Sequence, residues 1–189
     1  MLEAVLNKEI IVNKTLCRII GISVFVILTA LGAFVRIPLP FSPVPITLQT
    51  FFVLLSGAFL GSNLGAITQL SYISLGALGL PVFTNAGSGL LYLFGPTGGY
   101  LIGFVAVAFF VGWLAERGWD RRVWTAVPAM LAGETVLYVF GLLWLVHFVT
   151  VDKVLQVGLY PFVVGDLIKV AAAALILPSA WLLLRRFRN

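Results

Sequence analysis

Between Ile37 and Ala115 the chain reads IPLPFSPVPITLQTFFVLLSGAFLGSNLGAITQLSYISLGALGLPVFTNAGSGLLYLFGPTGGYLIGFVAVAFFVGWLA, 79 residues without one Asp, Glu, Lys or Arg. A helix that crosses a bilayer takes about 20 apolar residues, so this stretch alone has room for three spans and their connections. The remainder of the chain agrees with it. Of 189 residues, 61% are hydrophobic and 10% charged, with a mean hydropathy of +1.10; an ordinary soluble domain is about 25% charged. So little polar surface cannot cover a water-soluble globule of this length, which excludes a soluble enzyme or a nucleic-acid binder. The reading is an all-α integral membrane protein, with residues 1–189 as a single membrane domain.

Turn signals divide the chain into six transmembrane helices, at roughly 16–36, 46–62, 64–80, 95–115, 123–148 and 161–184. The signals are Pro38, Pro40, Pro43 and Pro45, then Gly61-Ser62-Asn63, Gly79-Leu80-Pro81, Gly95-Pro96, the charged patch from Glu116 to Arg122, and Val151 to Pro161. Residues 1–15 form a short charged lead, amphipathic or disordered. It is not expected to be a cleavable signal peptide, because no small-residue cleavage site follows the first apolar segment.

The net charge of +5 is explained by where the cations fall. Lys8, Lys14 and Arg18 precede helix 1; Arg117, Arg121 and Arg122 lie between helices 4 and 5; Arg185, Arg186 and Arg188 follow helix 6. Six spans put all three clusters on one side, and the positive-inside rule makes that side cytoplasmic, with both termini inside. The opposite side receives Arg36 and Lys153 and little else.

Catalytic signatures are missing. A single cysteine, Cys17, rules out a disulfide framework, and a single histidine, His147, leaves too few ligands for most zinc chemistry. The sequence contains no GxxxxGK[ST], no HExxH and no GxSxG, so neither nucleotide hydrolysis by a P-loop nor metal or serine hydrolase chemistry is expected. No metal and no cofactor are implied. Gly57, Gly61 and Gly65, and again Gly99 and Gly103, recur at four-residue spacing. Such spacing lets helix backbones approach closely in lipid, within one bundle or across a homodimer.

Ionisable residues inside spans are costly and usually functional. Asp166 and Lys169, at i and i+3, share one face of helix 6 near its outer end. They are candidates for a binding site, the alternative being an ion pair that only packs the helix. Glu134, in the middle of helix 5, reads as structural, and His147 as interfacial. The outer loops point the same way. Pro38 to Pro45 holds four prolines in eight positions, a stiff apolar segment suited to capping a cavity, and Gln49 follows it. The loop from Gly79 to Tyr100 is rich in glycine and offers Asn85, Tyr92 and Tyr100 as polar or stacking contacts. A small-molecule pocket open to the outside is the inference.

Three strings together carry a resemblance: Pro43-Val-Pro-Ile-Thr-Leu-Gln-Thr50, the loop Gly79-Leu-Pro-Val-Phe with Gly95-Pro-Thr-Gly-Gly-Tyr-Leu-Ile-Gly103, and Gly165-Asp-x-x-Lys169. They resemble the BioY family, the biotin-binding S-components of energy-coupling factor (ECF) vitamin transporters, along nearly the whole chain. The resemblance implies a six-helix S-component bundle in a bacterial cytoplasmic membrane that captures biotin from outside. A separate module of two ATPases and a transmembrane coupling subunit would supply energy. Many S-components dock that subunit through Ala-x-x-x-Ala on helix 1. Here the corresponding stretch is Gly21-Ile-Ser-Val-Phe-Val26, with larger residues. The family's polar contact in loop 3–4 falls at Gly87, and its role passes here to Asn85.

Biotin's chemistry suits these residues. Asp166 can accept from the ureido N–H groups, and Lys169 can donate to the ureido oxygen or pair with the valerate carboxylate. Asn85 and Gln49 can complete the ring's hydrogen bonds, with Tyr92 covering it. Two other readings compete: an S-component for a different vitamin, and a channel or structural subunit.

Overall fold

The structure, a computed structural model, describes residues 13–186; the lead up to residue 12 and the last arginine cluster's end at Arg188 lie outside the described residues. Helix α1 (Lys14–Phe34) starts where the Asn13 side chain accepts from the backbone N–H of Leu16 at 3.1 Å, satisfying one of the bare donors of a helix start. After it, β1 (Arg36–Ile37) pairs antiparallel with β2 (Ile46–Thr47), Arg36 opposite Thr47 and Ile37 opposite Ile46. The ladder is two residues long because the prolines between the strands carry no N–H to extend it. The expected stiff cap is therefore a miniature hairpin in an otherwise helical chain.

Helix α2 (Gln49–Leu60) and helix α3 (Ser62–Ala77) meet at Gly61, whose φ of 89° ends one helix and begins the next. The break falls at the turn signal Gly61-Ser62-Asn63 of the sequence. Gly57 and Gly65 sit on opposite sides of the break, so close that a Cβ on Gly65 would lie 2.8 Å from the Gly57 Cα. The sequence then passes through a short 3-10 turn (Thr84–Ala86) and helix α4 (Leu90–Leu93) to helix α5 (Gly98–Glu116). Helix α6 (Val123–Leu145) follows a 3-10 turn at Trp119–Arg121, and helix α7 (Val151–Gly158) leads into helix α8 (Tyr160–Arg186).

Among the described residues, four segments are long and apolar enough to cross a membrane: Lys14–Phe34, Gly98–Glu116, Val123–Leu145 and Val151–Leu183. With its apolar helices the chain is a multi-pass membrane protein. The second and third expected spans are shorter than read: α2 has 12 residues, because the hairpin and Gly61 take those at its ends, and α3 has 16, because it stops at Ala77 ahead of the turn at Gly79, whose φ is 105°. The link from Val151 onward, read as a turn, is partly helix α7.

Helix α5 is the axis. It packs against α2, α3 and α6, and Gly57, Gly99, Gly103 and Gly112 are the places where neighbouring backbones or rings press against it. The glycines thus serve packing within the bundle. Thr29 of α1, Ser56 of α2 and Gln69 of α3 form a buried polar node, with the Gln69 Nε2 donating to Ser56 Oγ at 2.9 Å and to Thr29 Oγ1 at 3.4 Å. Such bonds tie helices together where lipid gives no hydrophobic drive. Leu16, Ile20, Ile27 and Leu31 of α1 stay exposed, as lipid-facing side chains do.

At one end of the bundle, polar clamps join distant segments. Glu116, ending α5, accepts from the Ser62 backbone N–H at 2.7 Å and from its hydroxyl at 2.9 Å, capping α3. Asp120 is buried and accepts from Trp181 Nε1 of α8 at 2.6 Å, while the Arg121 guanidinium lies 5.1 Å from the Trp181 ring centre. Burial pushes the Asp120 carboxyl above the ordinary carboxylate range, with the Trp181 hydrogen bond opposing that shift.

Candidate ligand-binding site

At the opposite end, the hairpin, the starts of α2 and α8, the end of α6 and the loop before α5 enclose a cavity. It measures about 560 Å³ when the space at its mouth is counted, within the range of small-molecule sites. Phe104, Leu101, Leu137 and Phe162 make its apolar wall, and Val44, Pro45 and Thr47 of the hairpin lie over it. Ser42 fixes the hairpin by donating to the Val157 carbonyl of α7 at 2.7 Å. Tyr100, also lining the cavity, donates to the Gly158 carbonyl at 2.8 Å.

Asp166 and Lys169 both line the cavity from α8 and are both buried. Their i, i+3 spacing brings the Lys169 ammonium 2.8 Å from Asp166 Oδ1. Lys169 also donates to Thr50 Oγ1 on α2 at 2.9 Å, and the Tyr138 hydroxyl on α6 donates to Asp166 Oδ2. One hydrogen-bonded chain, Thr50–Lys169–Asp166–Tyr138, therefore crosses three helices. A buried pair of charges is tolerable only when its remaining donors and acceptors are met, and here protein groups meet most of them.

Gln49 forms the second polar centre. Its Nε2 donates to the Tyr72 hydroxyl at 2.6 Å, and its Oε1 accepts from the Thr47 and Thr84 hydroxyls, each at 3.3 Å. Tyr72 passes the bond on to the Val82 carbonyl at 3.0 Å, which anchors the loop before α5. Tyr92 lines the cavity and stacks on Phe83 with ring centroids 4.9 Å apart. Its ring occupies the space that a side chain on Gly87 would need.

Four of the five expected site residues, Asp166, Lys169, Gln49 and Tyr92, thus face one cavity. Asn85 does not. It is exposed in a left-handed conformation at φ 65°, outside the lining, and its neighbour Thr84 turns inward instead. The side chain of a residue at the tip of so tight a turn points away from the loop's packed side. Sequence reasoning missed Thr50, Thr84 and Tyr138. Thr50 follows Gln49 directly, and Tyr138 stands four residues from Glu134 on one face of α6; both spacings were visible. His147 is exposed, one ring nitrogen 3.0 Å from the Trp144 carbonyl. Glu134 is buried, and neither carboxyl oxygen has a hydrogen-bond partner among the described residues.

A multi-pass helical bundle with a capped, half-polar cavity at one end is the architecture of a membrane receptor for a small solute. The comparisons with known proteins agree. The fold is similar to the crystal structure of the S-component for biotin from an ECF-type ABC transporter, with a TM-score of 0.80 and 25% identity over 90% of this chain and 94% of that one. The biotin transporter BioY of Thermotoga maritima is 44% identical over 160 residues, 84% of this chain and 92% of that protein. The probable biotin transporter BioY of Pyrococcus horikoshii is 42% identical over 155 residues, 82% and 90% respectively. The BioY family matches residues 7–186, and the chain belongs to that family, a family of transporters and not of enzymes.

Proposed function

We propose that this protein is the biotin-capture subunit of an uptake transporter, and that biotin occupies the cavity between the hairpin and the Asp166–Lys169 pair. One observation carries the reading: in a BioY-family fold, an acceptor-only carboxylate and an ammonium stand side by side in a half-polar cavity. A ureido group, with two N–H donors and one carbonyl, complements that pair. Asp166, Lys169, Gln49 and Tyr92 are the proposed contacts. Thr84 takes the part first given to Asn85.

The finer arrangement belongs to the same proposal. The chain forms one membrane domain that crosses six times, α2 and α3 included. Both termini and the Glu116–Arg122 connection are cytoplasmic, as the arginine clusters favour. An ECF module of two ATPases and a coupling subunit energises release to the inside, and a homo-oligomer is compatible with the exposed apolar surface. Calorimetry on the detergent-solubilised protein tests the core of it. Biotin should bind with heat at micromolar protein, and thiamine or riboflavin should not displace it. Asp166→Asn and Lys169→Met should each weaken binding about tenfold or more, since a hydrogen bond to a charged group contributes about 1.5–3 kcal/mol. Absence of biotin binding by the wild type would overturn the reading.

A further inference from the structure

Glu134 has no role in the site as described, yet its surroundings are unusual. It is 5% exposed, and both carboxyl oxygens lack a hydrogen-bond partner among the described residues. Buried polar atoms nearly always find partners, because bare ones are costly. A buried carboxyl with both oxygens bare therefore points to a partner gained in another conformation of its neighbours.

The helix directions identify that partner. Trp181, late in α8, meets Asp120 just before α6, while Tyr138, late in α6, meets Asp166 early in α8. The two helices are antiparallel. Glu134 lies one turn before Tyr138 and Lys169 one turn after Asp166, so their side chains come level across the same interface. The Glu134 carboxyl is close enough to feel the charges of both Asp166 and Lys169. In the structure the ammonium donates to Asp166 Oδ1 and Thr50 Oγ1 and not to Glu134.

Resting on the biotin reading above, we propose that Glu134 is the second acceptor of the Lys169 ammonium. When a ligand's N–H donors engage Asp166, Lys169 turns to Glu134, so that Asp166 is released to the ligand while the ammonium keeps a carboxyl partner. Glu134 is in this sense a positioning residue. It lies outside the cavity lining and acts on the ligand through Lys169. Thr50 holds the ammonium in both positions, as a pivot on α2, and Tyr138 keeps Asp166 in place when its ion pair loosens.

The experiment compares wild type with Glu134→Gln, which keeps the shape and loses the charge partner, by calorimetry with biotin, thermal unfolding without ligand, and biotin-minus-empty infrared difference spectra. The expected result is an unchanged unfolding temperature for the empty variant and about tenfold weaker biotin binding, the scale of a lost charge-assisted hydrogen bond. The wild-type spectrum should contain a shifted carboxyl band that the variant lacks. If Glu134→Gln does not fold, Glu134→Asp decides, since its carboxylate should preserve the shifted band and most of the affinity. Equal affinity in wild type and variant, or difference spectra that the substitution leaves unchanged, would overturn the proposal while leaving biotin capture intact. A wild type that binds no biotin would remove both.

Discussion

The Tyr138 hydroxyl on α6 donates to Oδ2 of Asp166 on α8, so the carboxylate is held from the side opposite Lys169. Removing that hydroxyl with Tyr138→Phe leaves ring packing intact and lets the carboxylate rotate. Biotin affinity should fall several-fold to tenfold, and stability by about 1 kcal/mol, the usual contribution of one such bond. Calorimetry and thermal unfolding on the same preparation separate the two effects. An unchanged affinity would mean that Asp166 is oriented by Lys169 alone.

Tyr92 reaches the cavity because residue 87 has no side chain. A methyl group at Gly87 would overlap the Tyr92 ring. Gly87→Ala should therefore push the ring off its stack on Phe83 and weaken biotin binding, with little effect on a Tyr92→Ala background, where the space is already open. Non-additivity of the two changes is the quantity to measure. Purely additive losses would show that the glycine serves the backbone of the loop and not the aromatic ring.

Glu116 caps α3 from the end of α5. Glu116→Ala leaves the Ser62 N–H bare and should cost about 1 kcal/mol, in line with other lost N-caps. Glu116→Gln retains an acceptor and should recover most of that. Both variants should bind biotin normally, because the clamp lies at the end of the bundle away from the cavity.

Asp120 gives a pH prediction. Burial raises its folded-state affinity for a proton above the ordinary value of 3.8. Above that value the unfolded chain has lost the proton while the folded protein still holds it, so stability falls as pH rises through the window between the two. Asp120→Asn keeps an acceptor for Trp181 and removes the titration. Unfolding temperatures recorded from acid to neutral pH should decline in wild type across that window and run flatter in the variant. Parallel curves would mean that another group governs the slope.

Much of this was legible in the chain. The charge-free run from Ile37 to Ala115 specified membrane helices, because only apolar surface survives in lipid. Asp166 and Lys169 were legible because three residues separate them on a helix where charge is expensive. What escaped was set by contacts between distant segments. Gly61 reads as part of a turn, but the closeness of Gly57 and Gly65 across that turn does not show in their spacing. Tyr138 shares a face of α6 with Glu134 four residues earlier, but its bond to Asp166 depends on an antiparallel neighbour 28 residues away. Asn85 was chosen for its chemistry, but the turn at Thr84–Ala86 gives the inward position to a threonine. Side-chain direction in a loop depends on torsions that composition does not encode.

The brevity of α2 has a consequence for how the protein is made. Its 12 residues rise about 18 Å at 1.5 Å each, well short of the roughly 30 Å hydrocarbon slab, and most of them are shielded by neighbouring helices. In the proposed six-span arrangement such a segment is too short to partition from the translocation machinery into lipid by itself. It must enter together with α3, as a helical pair closed at Gly61, and its insertion is completed only when α5 arrives to cover it. Biogenesis of the binding site is then bound to the order of synthesis: Gln49 and Thr50 reach their final depth only after the axis of the bundle has left the ribosome.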